Sequence, residues 1–296
     1  MPAAFGFLNA CKPPGITSTA FGNWIKRIYP GCAIGHWGTL DPTASGVLVL
    51  GIGYATRLLP LIEPSTKRYS FELILGAKTD TADATGQILE VKPVPAAWSR
   101  ELSDIAYALI GPIEQIPPMY SAVKVAGRPL YNSARRGEEV ERPTRHARVL
   151  ALDVISTGER SARLVVECDA GLYVRTLCEQ LSQRLGTVGH MGALVRTAAG
   201  PFSIDSSALA PDIVQCRETC LIDPLHVLGN PRVNVDDEGM KRFMHGNGVD
   251  IGEGVAADGS IASGARGTVL VVHGNRVIGV ADLEQGHLSP RRVFAQ

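Results

Sequence analysis

The chain has 296 residues, of which 45 % are hydrophobic and 20 % are charged, so it can bury one large core and a smaller one. Its 29 lysines and arginines balance its 29 aspartates and glutamates, which excludes a general attraction of the whole molecule to polyanions. The longest apolar run is too short to cross a bilayer and the start of the chain lacks an export-signal pattern, so we expect a cytoplasmic protein without membrane association.

The first fifty residues predict a strand, a helix and a second strand. The segment FGFLNA (5–10) is typical of a strand, and TSTAFGNWIKRIY (17–29) places apolar side chains at helical spacing behind threonine caps. The run GVLVLGIG (46–53) is continuous and apolar, as expected of a strand buried on both faces. The intervening GHWGTLDPTAS (35–45) is therefore predicted to be a loop attached to a core strand.

The middle of the chain mixes strands and helices in irregular order. KRYSFELILGA (67–77) alternates apolar and polar residues as a half-buried strand does, with Tyr69 near its start. WSRELSDIAYALIG (98–111) predicts an amphipathic helix that ends on Gly111, and YVRTLCEQLSQRLG (173–186) predicts another that ends on Gly186, with Arg175 in its first turn. Further strands are predicted at 120–127, 148–156 and 162–171. This order favours an α+β fold with a mixed, largely antiparallel sheet flanked by helices.

The last quarter of the chain changes character. LIDPLHVLGNPR (221–232) is rich in Pro, Gly and Asn and predicts a boundary, which divides the chain into domains at 1–228 and 229–296. The tail consists of short segments separated by glycines, with HGN (273–275) as a hairpin turn and GEGVAADGSIASGARG (252–267) as a loop. We expect a small domain resembling a β-barrel.

One aspartate, Asp41, stands in the predicted loop before the buried strand. An Asp before Pro commonly opens a turn and caps backbone amides, which is a purely structural interpretation. The surrounding Gly35, His36, Gly38 and Gly46 would instead let the backbone approach a ligand closely. The local pattern alone leaves both interpretations open.

Positive charge is concentrated in one segment, between residues 124 and 148. Three glutamates are outnumbered there by Lys124, Arg128, Arg135, Arg136, Arg142, Arg145 and Arg148. Such a segment either follows a phosphate backbone or forms a solvated charged loop, and the count does not decide between them.

The six cysteines have no paired spacing, so neither a zinc site nor a disulfide framework is predicted. A phosphate-binding loop and a dinucleotide fingerprint are also missing from the sequence. We expect a protein that uses no metal and no cofactor.

Six separated motifs, in order, resemble the TruB family of tRNA pseudouridine synthases through about residue 220. They are KPPGITS (12–18), GHWGTLDPTASGVL (35–48), KRY (67–69), GAKTDTADATG (76–86), PPMYSAVKVAGRPLYNSARRG (117–137) and GLYVRTL (171–177). The tail is similar to the family's PUA RNA-binding domain. The resemblance implies the pseudouridine synthase fold, and isomerisation of the T-loop uridine of tRNA (position 55) to pseudouridine after the base is flipped out. The default expectation for the oligomeric state is a monomer.

The resemblance also implies roles for single residues. Asp41 would act at the ribose, either attacking C1′ or removing a proton from C2′, and Arg175 would hold its carboxylate in the charged form. Tyr69 would stack on the uracil, with a lesser case for moving the C5 proton. Tyr173 and Leu194 would line the pocket, and His36 would lie beside the flipped nucleotide.

Other matched residues would support the site or contact the RNA backbone. Support is expected from Lys12, Pro13, Gly38, Thr39, Leu40 and Asp80, and RNA contact from Lys124, Arg128, Arg135 and Arg136. The sequence departs from the family pattern at Trp37, where a small residue is common, and before Lys12, where an acidic residue is common.

Two other functions are weighed against pseudouridine synthesis. A non-catalytic tRNA-binding or tRNA-folding protein on the same scaffold would not need an ionised carboxylate in its pocket. An N-glycosidase would use the same carboxylate and release free uracil.

Overall fold

The computed structural model describes residues 4–63, 66–119, 124–125, 128–129, 142–251, 255–257 and 266–294. The described α-helices are α1 (Ser18–Ile28), α2 (Trp98–Tyr107), α3 (Val174–Arg184), α4 (Ala210–Gln215) and α5 (Asp237–Met244). The described strands are β1 (Gly6–Lys12), β2 (Ile34–Trp37), β3 (Ser45–Ile52), β4 (Lys67–Leu75), β5 (Ala77–Thr79), β6 (Ile88–Val91), β7 (Gly111–Gln115), β8 (Lys124–Val125), β9 (Arg128–Pro129), β10 (Arg145–Thr157), β11 (Ser161–Cys168), β12 (Gly189–Ala199), β13 (Phe202–Ser203), β14 (Leu221–Ile222), β15 (Arg232–Val235), β16 (Val249–Asp250), β17 (Val255–Ala257), β18 (Gly267–His273), β19 (Arg276–Glu284) and β20 (His287–Val293).

A large sheet forms the body of the protein, with the strand order β14-β1-β3-β12-β4-β11-β10-β7 and with β2 and β13 added to β3 and β12. Its strands pair antiparallel except β3 with β12, which are parallel. The predicted α+β fold with a mixed, largely antiparallel sheet is therefore confirmed. Strand β3 is buried along almost its whole length, and on β4 the alternate residues from Tyr69 to Leu75 are buried, as their patterns predicted.

Helices α1, α2 and α3 pack on this sheet with the apolar faces that their periodicity predicted. Thr17 caps α1 by accepting a hydrogen bond from the Ala20 amide at 3.0 Å, and Phe21 and Ile25 are buried. The predicted end of α2 on Gly111 is wrong, because the helix ends at Tyr107 and Gly111, at φ 118°, begins β7. Among the described residues, no helix combines the length and the apolar character needed to cross a bilayer.

The tail forms a second sheet in the order β16-β20-β19-β18-β15-β17, which fits the small β-rich domain predicted for it. The predicted hairpin turn at 273–275 joins β18 to β19. The predicted loop at 252–267 is wrong in part, since Val255–Ala257 forms β17 and pairs with β15; positions 252–254 and 258–265 lie outside the described residues. One apolar cluster contains Phe7 and Val49 of the large sheet with Leu270 and Phe294 of the tail, so the two sheets pack together.

The parallel contact between β3 and β12 fixes the loop that precedes β3. Gly46 at the start of β3 has φ 99° and is in register with Arg196 of β12. A Cβ atom at Gly46 would lie 2.3 Å from the Arg196 carbonyl oxygen, closer than any side chain tolerates. Only glycine therefore lets the loop carrying Asp41 join the sheet here.

Gly46→Ala is expected to lower the free energy of unfolding by at least about 2 kcal/mol, because it combines a left-handed backbone with a backbone clash. Gly22→Ala is the control: a Cβ there meets only Ile34 and Leu50 at 4.0 Å within α1, so stability should stay equal or rise by up to about 1 kcal/mol. Urea unfolding followed by circular dichroism measures both. Equal stability of the two variants would contradict the role given to Gly46.

Candidate active site

A cavity of about 400 Å³ opens where the Asp41 loop, β4, β12 and the start of α3 meet. Its walls combine apolar side chains with nearly as many ionisable ones, and such convergent polar groups in a concave site are typical of ligand binding. The lining residues are Thr39, Leu40, Asp41, Lys67, Tyr69, Arg145, Gly171, Leu172, Tyr173, Val174, Arg175, Met191 and Leu194.

Asp41 and Arg175 form an ion pair in the cavity wall. Nη2 of Arg175 lies 2.9 Å from Oδ2 of Asp41, with the arginine side chain 5 % exposed and the aspartate side chain 34 % exposed. Nη1 of Arg175 donates to the Thr81 carbonyl at 3.2 Å, which fixes the guanidinium from a second side. The position of Arg175 in a first helical turn would suit a surface charge equally well, but the structure buries it.

The ion pair counteracts the effect of burial on Asp41, whose pKa nevertheless stays above its usual value. Burial raises the pKa of the Asp41 carboxyl above its usual 3.8, and Asp83 nearby adds to that rise. The adjacent Arg175 guanidinium acts in the opposite direction by its charge and its hydrogen bond, and Lys12 assists it. The ion pair therefore offsets part of the cost of removing the Asp41 carboxylate from water.

Asp83, which sequence reasoning did not select, organises the loop that supplies the Thr81 carbonyl. Its Oδ1 accepts from the Thr81 hydroxyl at 2.8 Å, the Thr85 amide at 2.9 Å and the Thr85 hydroxyl at 2.5 Å. The predicted Asp80 instead accepts from the Gln87 amide at 2.8 Å and lines a different cavity. The Thr-x-Asp-x-Thr spacing, typical of side chains that bond nearby backbone, was the available signal for Asp83.

Tyr69 lies on β4 with its ring at the cavity and 8 % of its surface exposed. Burial raises the pKa of the Tyr69 phenol above 10, and the Arg196 guanidinium beside it only partly opposes this. A neutral phenol with a raised pKa is a poor base, whereas its aromatic ring lines the cavity.

Two buried cations hold the Asp41 loop from behind. Lys12 donates to the carbonyls of Pro13 and Ile16 at 2.8 Å and is 3.4 Å from that of Pro42; burial lowers its pKa to about 8. Arg196, which was also not selected from the sequence, donates from Nε to the Val47 carbonyl at 2.7 Å and from Nη1 to that of Thr39 at 3.4 Å. The loop is thus attached on both sides of Asp41.

Other predicted support residues occupy the same loop. Gly38 has φ 72°, which a side chain rarely adopts. The amide of Leu40 donates to the Ser18 hydroxyl at 2.9 Å, which ties the loop to α1. Thr39 and Leu40 both line the cavity.

Some of the residues predicted to contact the substrate meet at the cavity, and one does not. Tyr173 and Leu194 line the cavity. His36 lies on β2, with Nδ1 2.9 Å from the Gly38 carbonyl oxygen, and is not among the lining residues of the cavity.

The predicted RNA-binding segment is only partly described. Lys124 and Arg128 lie in the short paired strands β8 and β9 and are described by their backbone alone, whereas Arg135 and Arg136 lie outside the described residues. Within the described ranges, no group of three or more His, Cys, Asp or Glu is placed to hold a metal ion.

A family model and two relatives of known name identify the same family. The model of the TruB family pseudouridylate synthase N-terminal domain matches residues 26–174. A tRNA pseudouridine synthase B of Heliobacterium modesticaldum is 40 % identical over 260 residues, covering 84 % of this chain and 85 % of that protein. The protein of that name from Gluconacetobacter diazotrophicus is 36 % identical and covers 98 % of this chain and 97 % of its own length.

Solved structures agree on the fold. The crystal structure of a Cbf5–Nop10–Gar1 complex contains a chain that is 25 % identical, with a TM-score of 0.70, covering 99 % of this chain and 86 % of that one. A chain in the structure of an H/ACA RNP bound to a substrate RNA containing 2′-deoxyuridine is 23 % identical, with a TM-score of 0.68 and the same coverage, and supports the fold alone. With an extensive family-model match and relatives of 36 % to 40 % identity along most of its length, this chain belongs to the TruB family of pseudouridylate synthases.

Proposed function

We propose that this protein is a tRNA pseudouridine synthase that isomerises the T-loop uridine, with Asp41 as the residue acting on the ribose. The observation that carries the proposal is the 2.9 Å pair between Asp41 and Arg175 in the wall of the 400 Å³ cavity. The names of the curated relatives, tRNA pseudouridine synthase B, support tRNA as the substrate class.

The reaction rearranges bonds within one nucleotide. The N1–C1′ bond breaks, the uracil turns in the cavity, C5 bonds to C1′, and the proton on C5 is exchanged for one on N1. No oxidant, nucleotide or further reactant is needed. Asp41 stabilises the electron-poor ribose either by bonding to C1′ or by taking the C2′ proton, and both routes require its ionised form.

The remaining cavity residues receive the base. The uridine must leave its stack in the T-loop, which costs a few kcal/mol that contacts in the cavity must offset. The Tyr69 ring provides a face for stacking, and Leu194 and Tyr173 provide apolar wall. To His36, next to the Asp41 loop on β2, we assign the role of filling the space that the flipped base leaves in the RNA.

The rest of the tRNA contact is assigned to two regions. The basic segment, with Lys124, Arg128, Arg135 and Arg136, follows the backbone of the T arm. Residues 229–296 form a PUA-like RNA-binding domain beside the catalytic domain of 1–228. The protein acts in the cytoplasm as a monomer and needs no metal or cofactor.

Asp41→Asn keeps the size of the side chain and removes its charge, so pseudouridine formation is expected to fall at least about a hundredfold. Asp153→Asn, at an exposed position on β10, is the matched control and should retain full activity. Release of tritium from tRNA labelled at uridine C5 measures the rate, and mapping of pseudouridine gives the position.

The same assay separates the three functions considered. Wild-type conversion lost in Asp41→Asn supports the proposal. Free uracil in place of pseudouridine would identify an N-glycosidase, and tRNA binding without conversion would identify a non-catalytic binder.

The rate of the wild-type protein is expected to fall in acid as Asp41 takes up a proton. Arg175→Met removes the cation that opposes burial, so the pKa of Asp41 rises and the acid limb moves to higher pH by about 1 to 3 pH units. Arg175→Lys keeps a positive charge and should keep the limb closer to the wild-type position. A pH–rate profile, each variant scaled to its own maximum, makes the comparison; an unmoved limb in Arg175→Met would refute the electrostatic role.

A further inference from the structure

Lys67 lies in the cavity wall and has no acidic side chain as an ion-pair partner among the described residues. It begins β4, lines the cavity, and is half-buried. Within the described part of the chain it forms no ion pair, and its Nζ donates no hydrogen bond. Its recorded side-chain contact is with the face of the Trp37 ring, whose centroid is 5.9 Å from Nζ.

A second buried cation, Arg196, points to the same place. Its side chain is almost completely buried and its guanidinium interacts with the Tyr69 hydroxyl, yet Nη2 has no hydrogen-bond acceptor in good geometry among the described residues. A Cβ atom on Gly38 would lie 3.5 Å from both Nη1 of Arg196 and Nζ of Lys67. Because Gly38 has no side chain, there is space next to the Arg196 guanidinium and the Lys67 ammonium.

Among the described residues, the acidic groups next to Lys67 or in the cavity wall are either paired with another cation or uncharged. Asp41 is paired with Arg175. The thiol of Cys168, next to Lys67, is not an anion, because burial raises its pKa to about 12. Burial and Arg196 both disfavour the charge on Lys67. Lys67 and Arg196 repel each other and have lost part of their hydration. A bound anion would stabilise both charges by replacing that lost water.

We propose that Lys67, backed by Arg196 and held against Trp37, binds a non-bridging phosphate oxygen of the RNA at a linkage next to the flipped uridine. This inference rests on the proposed function, since it assigns a contact to the substrate of that reaction. The contact fixes the ribose relative to Asp41, because phosphate and C1′ belong to the same or the adjacent nucleotide.

Trp37 gives Lys67 its orientation in this chain. The ring packs against the apolar cluster shared by the two sheets and presents a face to the ammonium. A small residue at position 37 would leave the lysine stem free to rotate, at a cost in side-chain entropy when it binds. Trp37 is thus a positioning residue for Lys67, which accounts for the departure from the family pattern.

The test compares charge removal on the protein with charge removal on the RNA. Binding of a T-arm stem-loop is measured in the Asp41→Asn background, so that the RNA is not converted, with Lys67 intact or changed to Met. The RNA carries either normal linkages or a neutral methylphosphonate at one of the two linkages flanking the target uridine. Each single change is expected to weaken binding about tenfold, and the two together no more than either alone.

Further variants sharpen the comparison. Lys67→Met should lower the slope of log Kd against log salt by about 0.7, the contribution of one phosphate on a single strand. Lys67→Arg should restore most of the affinity, and Trp37→Thr should lose part of it. Lys78→Met is the matched control, since Lys78 already has Glu179 at 3.5 Å, and it should bind as the parent does.

The outcomes separate this inference from the proposed function. The phosphate contact would be overturned if Lys67→Met left binding unchanged. It would also be overturned if, at both linkages, the affinity losses from Lys67→Met and from the methylphosphonate multiplied when combined. Absence of pseudouridine with the wild-type protein would instead overturn the proposed function, and that is measured on unmodified RNA without any Lys67 variant.

Discussion

The site depends on keeping one carboxylate charged where water is scarce. Asp41 is placed at a cavity wall, where burial favours its neutral form, and Arg175, 2.9 Å away, opposes that effect in favour of the charged form. The guanidinium can do so because it is itself fixed, by the Thr81 carbonyl on one side and by burial in the first turn of α3. The loop ordered by Asp83 therefore affects the charge of Asp41 indirectly, because its Thr81 carbonyl holds the Arg175 guanidinium in position.

The same constraint explains why charged groups stand behind the Asp41 loop. A loop with many glycines has little apolar surface with which to pack, so hydrogen bonds must define its path. Lys12 and Arg196 supply them by donating to backbone carbonyls on either side of Asp41. Burying two cations is costly, and carbonyl partners offset only part of that cost. In the proposed reaction, this cost is offset by holding the carboxylate in the one position from which it acts on C1′ or C2′.

Sequence patterns predicted the elements well where the apolar residues follow one clear pattern, whether on one face or along the whole strand. The alternation on β4, the apolar run of β3 and the stripe of α1 all correspond to observed buried faces. Gly111 was assigned to a helix end although it begins β7, because a positive φ suits either place. Asp83 and Arg196 were missed, since their importance comes from residues more than ninety positions away that the fold brings next to them. The resemblance supplied Asp41, Tyr69 and Arg175, which local patterns left undecided.

Net charge says little about a site of this kind. The whole chain is neutral, yet Lys67, Arg145 and Arg175 line the cavity beside Asp41, and Lys12, Arg196 and the acidic Asp83 are buried behind it. One of these cations neutralises Asp41 and two hold backbone, so their roles within the protein are accounted for. Lys67 differs because its recorded partner is an aromatic face, which attracts a cation without cancelling its charge. In the proposed function, the polyanionic RNA supplies that cancellation on binding. Local recognition of RNA by such a site would not require a basic protein.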